Sequence, residues 1–385
     1  MKIKLTVREV LSYSFFFLVS TMYAFRNTRL EFSGLLNTSI VTLVTLIFLF
    51  WFILGKYNWK FTLVFISLIL LSMINYYFTG NTWLLILCLA VFFSSSISMR
   101  QLLKFLFVYR SMLLISIIIF SLVGLLPLNI IDLSKAGKQV TGFAMGFNHP
   151  NQLAYNVGLL MFLYIAYNHN KLSWFHLSVF NLIGMITFVL SQSRSLLVSI
   201  LFLDIIVFFL KRNFYKGIFG KIMDVICQML TLIIPLIGIV FPYMLTRTSG
   251  YFKVFLYKIN DVFSSRFTHS GRLLDNYPLS LWGNELDLSI LDRLYGYSVI
   301  DNGLIKMLYT FGIVGFAIYV LMSYFTVRKL LKLGYNLYAY IMVVFLLWGL
   351  SEDILTNFAI NFTVIFWAVM IDTDLDKEGT NGKFE

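Results

Sequence analysis

Apolar runs long enough to cross a bilayer recur through most of the chain, separated by short polar connectors, at about 10–24, 40–54, 61–78, 83–97, 105–128, 152–167, 175–190, 196–210, 225–245, 303–325, 337–350 and 358–371. Roughly twenty apolar residues span the hydrocarbon core as a helix, so the spacing predicts twelve transmembrane helices. One interruption breaks this rhythm. Residues 246–300 are mostly polar and carry Arg247, Lys253, Lys258, Arg266, His269, Arg272 and Arg293 beside Asp275, Glu285, Asp287 and Asp292. Within it Phe252, Phe255, Leu256, Ile259 and Phe263 recur at helical spacing, with Lys253, Tyr257, Asn260 and Asp261 opposite, which predicts an amphipathic helix lying in the interface. Thr268-His-Ser-Gly271 has turn-forming composition and is expected to separate Arg266 from Arg272.

Composition agrees with this reading. Of 385 residues, 59% are hydrophobic and 12% charged, about half the charge of a soluble domain. The expected class is all-α: a polytopic integral membrane bundle forming one domain over 1–371, with a polar, disordered tail at 372–385. The opening Lys2, Lys4 and Arg8 before an apolar run resemble a signal peptide, but no small-residue cleavage site follows, so the run is expected to stay as the first helix. Cys88 and Cys227 lie far apart in apolar runs and indicate neither a disulfide framework nor a thiolate metal site.

The net charge of +12 fits topology and anionic headgroups, and nucleic acid is not an expected partner. With twelve spans, one side collects Lys2, Lys4, Arg8, Lys56, Lys60, Arg100, Lys104, Arg110, Lys171, Lys211, Arg212, Lys216, Lys221, Arg328, Lys329, Lys332, Lys377 and Lys383. Short loops of the other hold Arg26, Arg29, Lys135, Lys138 and Arg194. The positive-inside rule then makes both termini cytoplasmic and places 246–300, between helices 9 and 10, outside. Its cations call for an anion, and arginine grips phosphate with a permanently charged fork of donors.

Candidate chemistry gathers at that outer side. Arg266 and Arg272 are candidates to hold a pyrophosphate; Arg247, Lys253 and Lys258 fit headgroup contacts equally well. Arg194, in Ser191-Gln-Ser-Arg-Ser195, occupies a short external turn where positive charge is disfavoured, as a phosphate contact or a snorkelling anchor. His149, in Gly146-Phe-Asn-His-Pro-Asn-Gln-Leu153, precedes a span: a helix cap accounts for most of that motif, and a general base near neutral pKa is the alternative. His269, flanked by two arginines, would be held neutral as a base must be. Asp301, entering the next span in Asp301-Asn-Gly303, is either a cap or a rival base. Asp204 lies within a span, where a carboxylate is expensive. Asp372-Thr-Asp-Leu-Asp376 reads as a solvated acidic tail. Neither a zinc-protease helix, a P-loop nor a dinucleotide fingerprint occurs, and no cofactor or metal is expected.

Four stretches in order resemble the bacterial O-antigen and capsule polymerases of the Wzy type and the related O-antigen ligases: residues 146–154, the Ser-Arg turn of 191–197, Arg272 with Gly283 ten residues beyond, and 301–315 ending Gly312-Ile-Val-Gly315. The resemblance implies an integral-membrane glycosyltransferase joining oligosaccharide repeat units carried on undecaprenyl pyrophosphate at the outer face of the bacterial plasma membrane. Its products would be O-antigen, capsule or exopolysaccharide, and a flippase and a chain-length regulator would be partners beside membrane lipids. It also implies pyrophosphate roles for Arg194 and Arg272; those of Arg266, His269 and His149 come from spacing alone. Ligases carry histidine where this chain has Asp301, which favours polymerase. A flippase for the same lipid-linked sugars is the rival from another class, expected to have Gly- or Pro-broken helices and polar residues at the midplane.

Overall fold

The computed structural model describes residues 5–28, 34–57, 59–135, 138–211, 217–263, 265–297 and 299–371. The tail 372–385 with its Asp-x-Asp run, and Lys2, Lys4, Arg29, Arg212 and Lys216, lie outside the described residues. In chain order the α-helices are α1 (Val7–Arg26), α2 (Gly34–Ile53), α3 (Trp59–Thr79), α4 (Trp83–Ser94) and α5 (Met99–Leu122), then the hairpin β1 (Ile130–Lys135) and β2 (Lys138–Phe143), and α6 (Pro150–Asn168), α7 (Trp174–Ser191), α8 (Arg194–Lys211), α9 (Gly217–Arg247), α10 (Gly250–Val262), α11 (Arg266–Asn276), α12 (Ser289–Tyr295), α13 (Gly303–Lys332), α14 (Asn336–Gly349) and α15 (Ala368–Ile371). Among the described residues five helices are long and apolar enough to cross a membrane: Phe61–Thr79 within α3, then α5, α7, α9 and α13.

Three expectations are corrected. The last predicted span, 358–371, is a 3-10 helix at Phe362–Trp367 followed by the four-residue α15. Preceding it, 350–361 is irregular and, except for the half-buried Ser351 and Asp353, buried. Non-helical backbone of this kind survives in an apolar setting only where protein satisfies its polar groups, and here side chains help: the Asn361 amide donates to Leu355 O at 3.2 Å and to the Tyr319 hydroxyl at 2.8 Å. Second, β1 and β2 pair antiparallel, in register from Ile130 opposite Phe143 to Lys135 opposite Lys138, so the described residues are not helical throughout. Third, Arg110, counted with the basic residues of one side, is the twelfth of the 24 residues of α5, in mid-helix.

The chain forms two compact units, one within Met1–Leu63 and Leu89–Val207, the other within Val64–Cys88 and Phe208–Met370. In the first, aromatic side chains fill the core: Phe15 stacks on Phe93 with centroids 4.4 Å apart, and Trp51 is fully buried with its indole donating to Ser96 at 3.1 Å. α5 packs on α1 and α6. α7 ends at Gln192 in the left-handed region and α8 begins two residues later, so Ser191-Gln-Ser-Arg194 is the tight turn its composition predicts.

In the second unit α9, α13 and α14 pack together, and α11 lies on α9. Asn302, fully buried, caps α13 by accepting from Leu304 N (3.0 Å) and Ile305 N (3.2 Å), and its amide donates to Gly238 O of α9 (3.0 Å). α13 breaks at Gly312, where φ is +74° and a Cβ would lie 2.4 Å from Gly283 N. The break frees backbone groups, and 280–284 takes them: Ile313 N donates to Ser280 O (3.0 Å), Val314 N to Leu281 O (3.1 Å), and Tyr309 O accepts from Asn284 N (2.9 Å). Gly283 at φ +104° permits that docking, since a Cβ there would lie 2.5 Å from Thr310 O. This gives the Arg272-to-Gly283 spacing a structural basis: the end of α11 and the six residues after it lead from Arg272 to the glycine that docks on the broken helix.

Candidate functional site

The cluster is built in the second unit from α11, the start of α13 and the segment after α14. The predicted helix over 252–263 is present as α10. The predicted turn at 268–271 is not: these residues are the middle of α11. Gly271 is there for packing, because a Cβ would meet Pro242 O of α9 at 2.6 Å. The N-terminus of α11 is closed by the buried Asn260 of α10, whose side-chain Oδ1 accepts from Phe267 N (3.1 Å) and Thr268 N (3.3 Å). As one helix, α11 sets Arg266, His269 and Arg272 at successive intervals of three, along one side beside the buried Phe267, Ser270, Gly271 and Leu273.

Arg266 bridges two carboxylates. Its Nη1 lies 3.0 Å from Glu352 Oε1 and its Nε 3.7 Å from Asp301 Oδ2. Burial opposes its charge most strongly, but Glu352 and then Asp301 outweigh that and hold the guanidinium above its ordinary pKa. The Tyr297 hydroxyl donates to Asp301 Oδ2, and the Tyr297 ring stacks on His269 with centroids 3.7 Å apart and planes 19° apart. Burial, and next the neighbouring Asp301, push the Tyr297 phenol well above its usual range, so it remains a donor. A continuous contact path therefore runs from the imidazole through Tyr297, Asp301 and Arg266 to Glu352.

His269 Nδ1 is enclosed and, among the described residues, has no hydrogen-bond partner. Burial lowers the imidazole pKa first, Arg272 lowers it further, and Asp301 opposes both. The neutrality expected of two flanking arginines thus arises mainly from burial, with one of the two contributing. Arg272 lies over Tyr295 at 4.3 Å, and among the described residues it forms no ion pair. Together His269, Arg272, Tyr295, Tyr297 and Val299 line a small open cleft floored by Leu273 and Leu291. The cleft offers one uncompensated guanidinium, one neutral imidazole and two aromatic faces.

The other predicted residues separate clearly. Asp301 and Asn302 divide the two roles foreseen for this entry: Asn302 is the cap, which leaves the Asp301 carboxylate to Arg266 and Tyr297. His149 is the N-cap of α6, its Nδ1 accepting from Asn151 N at 3.1 Å in a capping box with Gln152, with Pro150 at the first helical position. Arg194 is exposed at the start of α8; it and His149 belong to the first unit. Of the loop cations that fit headgroup contacts, Arg247 pairs with Asp275 at 2.7 Å and lies over Tyr243. Asp204 accepts from the Asn181 amide at 3.0 Å, a polar contact between α7 and α8.

Two acids went unnoticed in the sequence. Glu352 is 4% exposed, and Asp353 pairs with Lys306 while accepting from Thr356 Oγ1 at 3.0 Å. The signal was present: adjacent carboxylates between two apolar runs are costly and mark a polar interior. Among the described residues no group of three or more His, Cys, Asp or Glu side chains is placed to hold a metal ion. Comparison of the chain with protein-family models, curated proteins and solved structures gave no significant match, so the functional reading rests on this geometry and on the residues themselves.

Proposed function

We propose that the chain is a polytopic glycosyltransferase of the bacterial plasma membrane, a polymerase that joins oligosaccharide repeat units carried on undecaprenyl pyrophosphate. In this reading twelve segments span or enter the membrane, both termini are cytoplasmic, and the segment with α10–α12 lies at the outer face. The observation that carries it is the meeting of Arg272, His269 and Asp301, each singled out from sequence, around one cleft and its adjoining carboxylate path.

In the reaction the bond between the donor's anomeric carbon and the pyrophosphate oxygen breaks, and the lipid pyrophosphate leaves with the electron pair. A hydroxyl oxygen of the incoming unit bonds to that carbon, and its proton passes to a base. Arg272, whose charge no carboxylate among the described residues offsets, takes the developing negative charge of the leaving group. Arg266 is reassigned from pyrophosphate contact to holding Glu352 and Asp301 in place, because two acids already compensate it. The base is Asp301 or His269, which Tyr297 links; His149 is occupied as a cap. Tyr295 and Tyr297 offer faces on which a sugar ring can stack.

The break in α13 is what the rival transporter reading calls for, yet residues 280–284 occupy its freed backbone groups, which leaves them unavailable to a moving substrate. The test is reconstitution of the purified chain with a lipid-pyrophosphate-linked repeat unit. The proposal expects longer oligomers on the lipid and one undecaprenyl pyrophosphate released per linkage. Movement of the donor across the vesicle membrane without any new glycosidic bond would make it a transporter instead.

A further inference from the structure

Arg110 has no place in the site above. It is the twelfth of the 24 residues of α5, a helix about 36 Å long, and it is only 6% exposed. It belongs to the buried stripe of α5, one turn from Leu106 and from Leu113 and Leu114. Helical side chains lean toward the N-terminus, so the guanidinium sits toward the end of α5 that carries Arg100 and Lys104.

Among the described residues Arg110 makes no ion pair and no hydrogen bond. Nor does its own unit hold an acid to spare: among the described residues of that unit, Glu9 closes the capping box of α1, Asp132 accepts from Thr141, and Asp204 accepts from Asn181. A buried lysine or histidine could discard its proton, but arginine keeps its charge at any working pH. An unpaired charge left in an apolar setting is too costly to persist, and the described residues offer no group that compensates it. The guanidinium nitrogens are not among the fully enclosed polar atoms, so the charged tip of this otherwise buried side chain can be reached from outside.

We propose that Arg110 anchors a binding site for a phosphate group, reached from the leaflet at the N-terminal end of α5 and filled by the headgroup of an anionic lipid. Five donors in a planar fork suit a phosphate, and basic positions between transmembrane helices favour such headgroups. The site lies in the unit that lacks the Arg272 cleft and does not depend on the glycosyltransferase reading.

The experiment uses the full chain purified in detergent. Native mass spectrometry counts the lipid retained, and thermal unfolding is followed during titration with phosphatidylglycerol, with a galactolipid of the same acyl chains that lacks phosphate, and with inorganic phosphate. The wild type is expected to retain a phospholipid and to gain stability with phosphatidylglycerol but not with the galactolipid. Arg110→Met should lose the retained lipid and bind phosphatidylglycerol ~10-fold more weakly or worse, the loss of one charge-assisted contact. Arg110→Lys should fall between. An equal response to inorganic phosphate would identify a free anion as the occupant of the same phosphate site. Should Arg110→Met fail to fold, the wild-type titration and Arg110→Lys still decide. Equal response of the wild type to both lipids, no response to any phosphate, or undiminished lipid retention by Arg110→Met overturns the proposal.

Discussion

Replacing Glu352 by glutamine preserves the shape of the side chain and removes its charge, which isolates what the Arg266 pair does. The charges sit about 4 Å apart around an N–O contact of 3.0 Å, and at an effective dielectric near 20 their attraction is about 4 kcal/mol before desolvation is subtracted. Neither group is open to water: the side chains are 15% and 6% exposed. Removing one partner of a buried pair costs about 3–5 kcal/mol, because the other charge is stranded. Here Asp301 at 3.7 Å still faces Arg266 and the glutamine oxygen still accepts, so about 2–3 kcal/mol is expected for Glu352→Gln. Arg266→Met alone strands two carboxylates and should cost more. The double variant should be less destabilised than the sum of the two by ~2 kcal/mol, because a stranded charge is lost with its partner. The assay is thermal or denaturant unfolding of the four proteins in one detergent. Strict additivity, within about 0.5 kcal/mol, would refute the claim that Arg266 and Glu352 act as a pair and would return Arg266 to the list of free phosphate ligands.

Three further outcomes follow from the same geometry. The folded-state pKa of His269 lies below the unfolded value of about 6.5, so below that pH the unfolded chain binds the extra proton. Its contribution to stability is complete above about pH 6.5 and is lost as pH falls through the folded pKa; His269→Gln should flatten that part of the stability profile, and an unchanged profile would contradict the assignment. Gly271→Leu should destabilise by at least about 1–3 kcal/mol, since its side chain meets Pro242 O of α9, whereas Ser270→Ala on the same helix should cost under about 1.5 kcal/mol. Asn302→Ala removes both cap bonds and the tie to Gly238, and should cost about 1–2 kcal/mol with faster amide exchange in the first turn of α13.

Much of the helical layout was readable because it depends on local signals. The periodicity of 252–263 foretold α10, the short Ser-Arg turn foretold the junction of α7 and α8, and His149-Pro150 foretold a cap of α6, whose partner Gln152 the structure adds. What failed depends on distant partners. Thr268-His-Ser-Gly271 reads as a turn by composition, yet its glycine is needed for a helix to approach Pro242, a contact without any local signature. The apolar run at 358–371 meets the hydropathy criterion for a span, but buried polar neighbours such as Asn357 and Asn361 satisfy an irregular backbone instead. Arg110 counted with the charges of one side although it lies inside the run 105–128, because a charge count does not show how deep in a helix a residue sits. The site was half legible: Arg272, His269 and Asp301 stood out as charges outside the spans, while Glu352 and Tyr297 joined them only through folding.

The central claim is that the uncompensated Arg272 charge receives a pyrophosphate leaving group. Its most direct measurement is the chain length of surface polysaccharide in a host whose own copy is deleted and replaced by the wild type, Arg272→Lys or Arg272→Ala at equal membrane abundance. The account predicts no long polymer with Arg272→Ala while single lipid-linked repeat units accumulate, and shortened or scarcer polymer with Arg272→Lys, which keeps the charge but loses the fork. Polymer of normal length and amount from Arg272→Ala would contradict it.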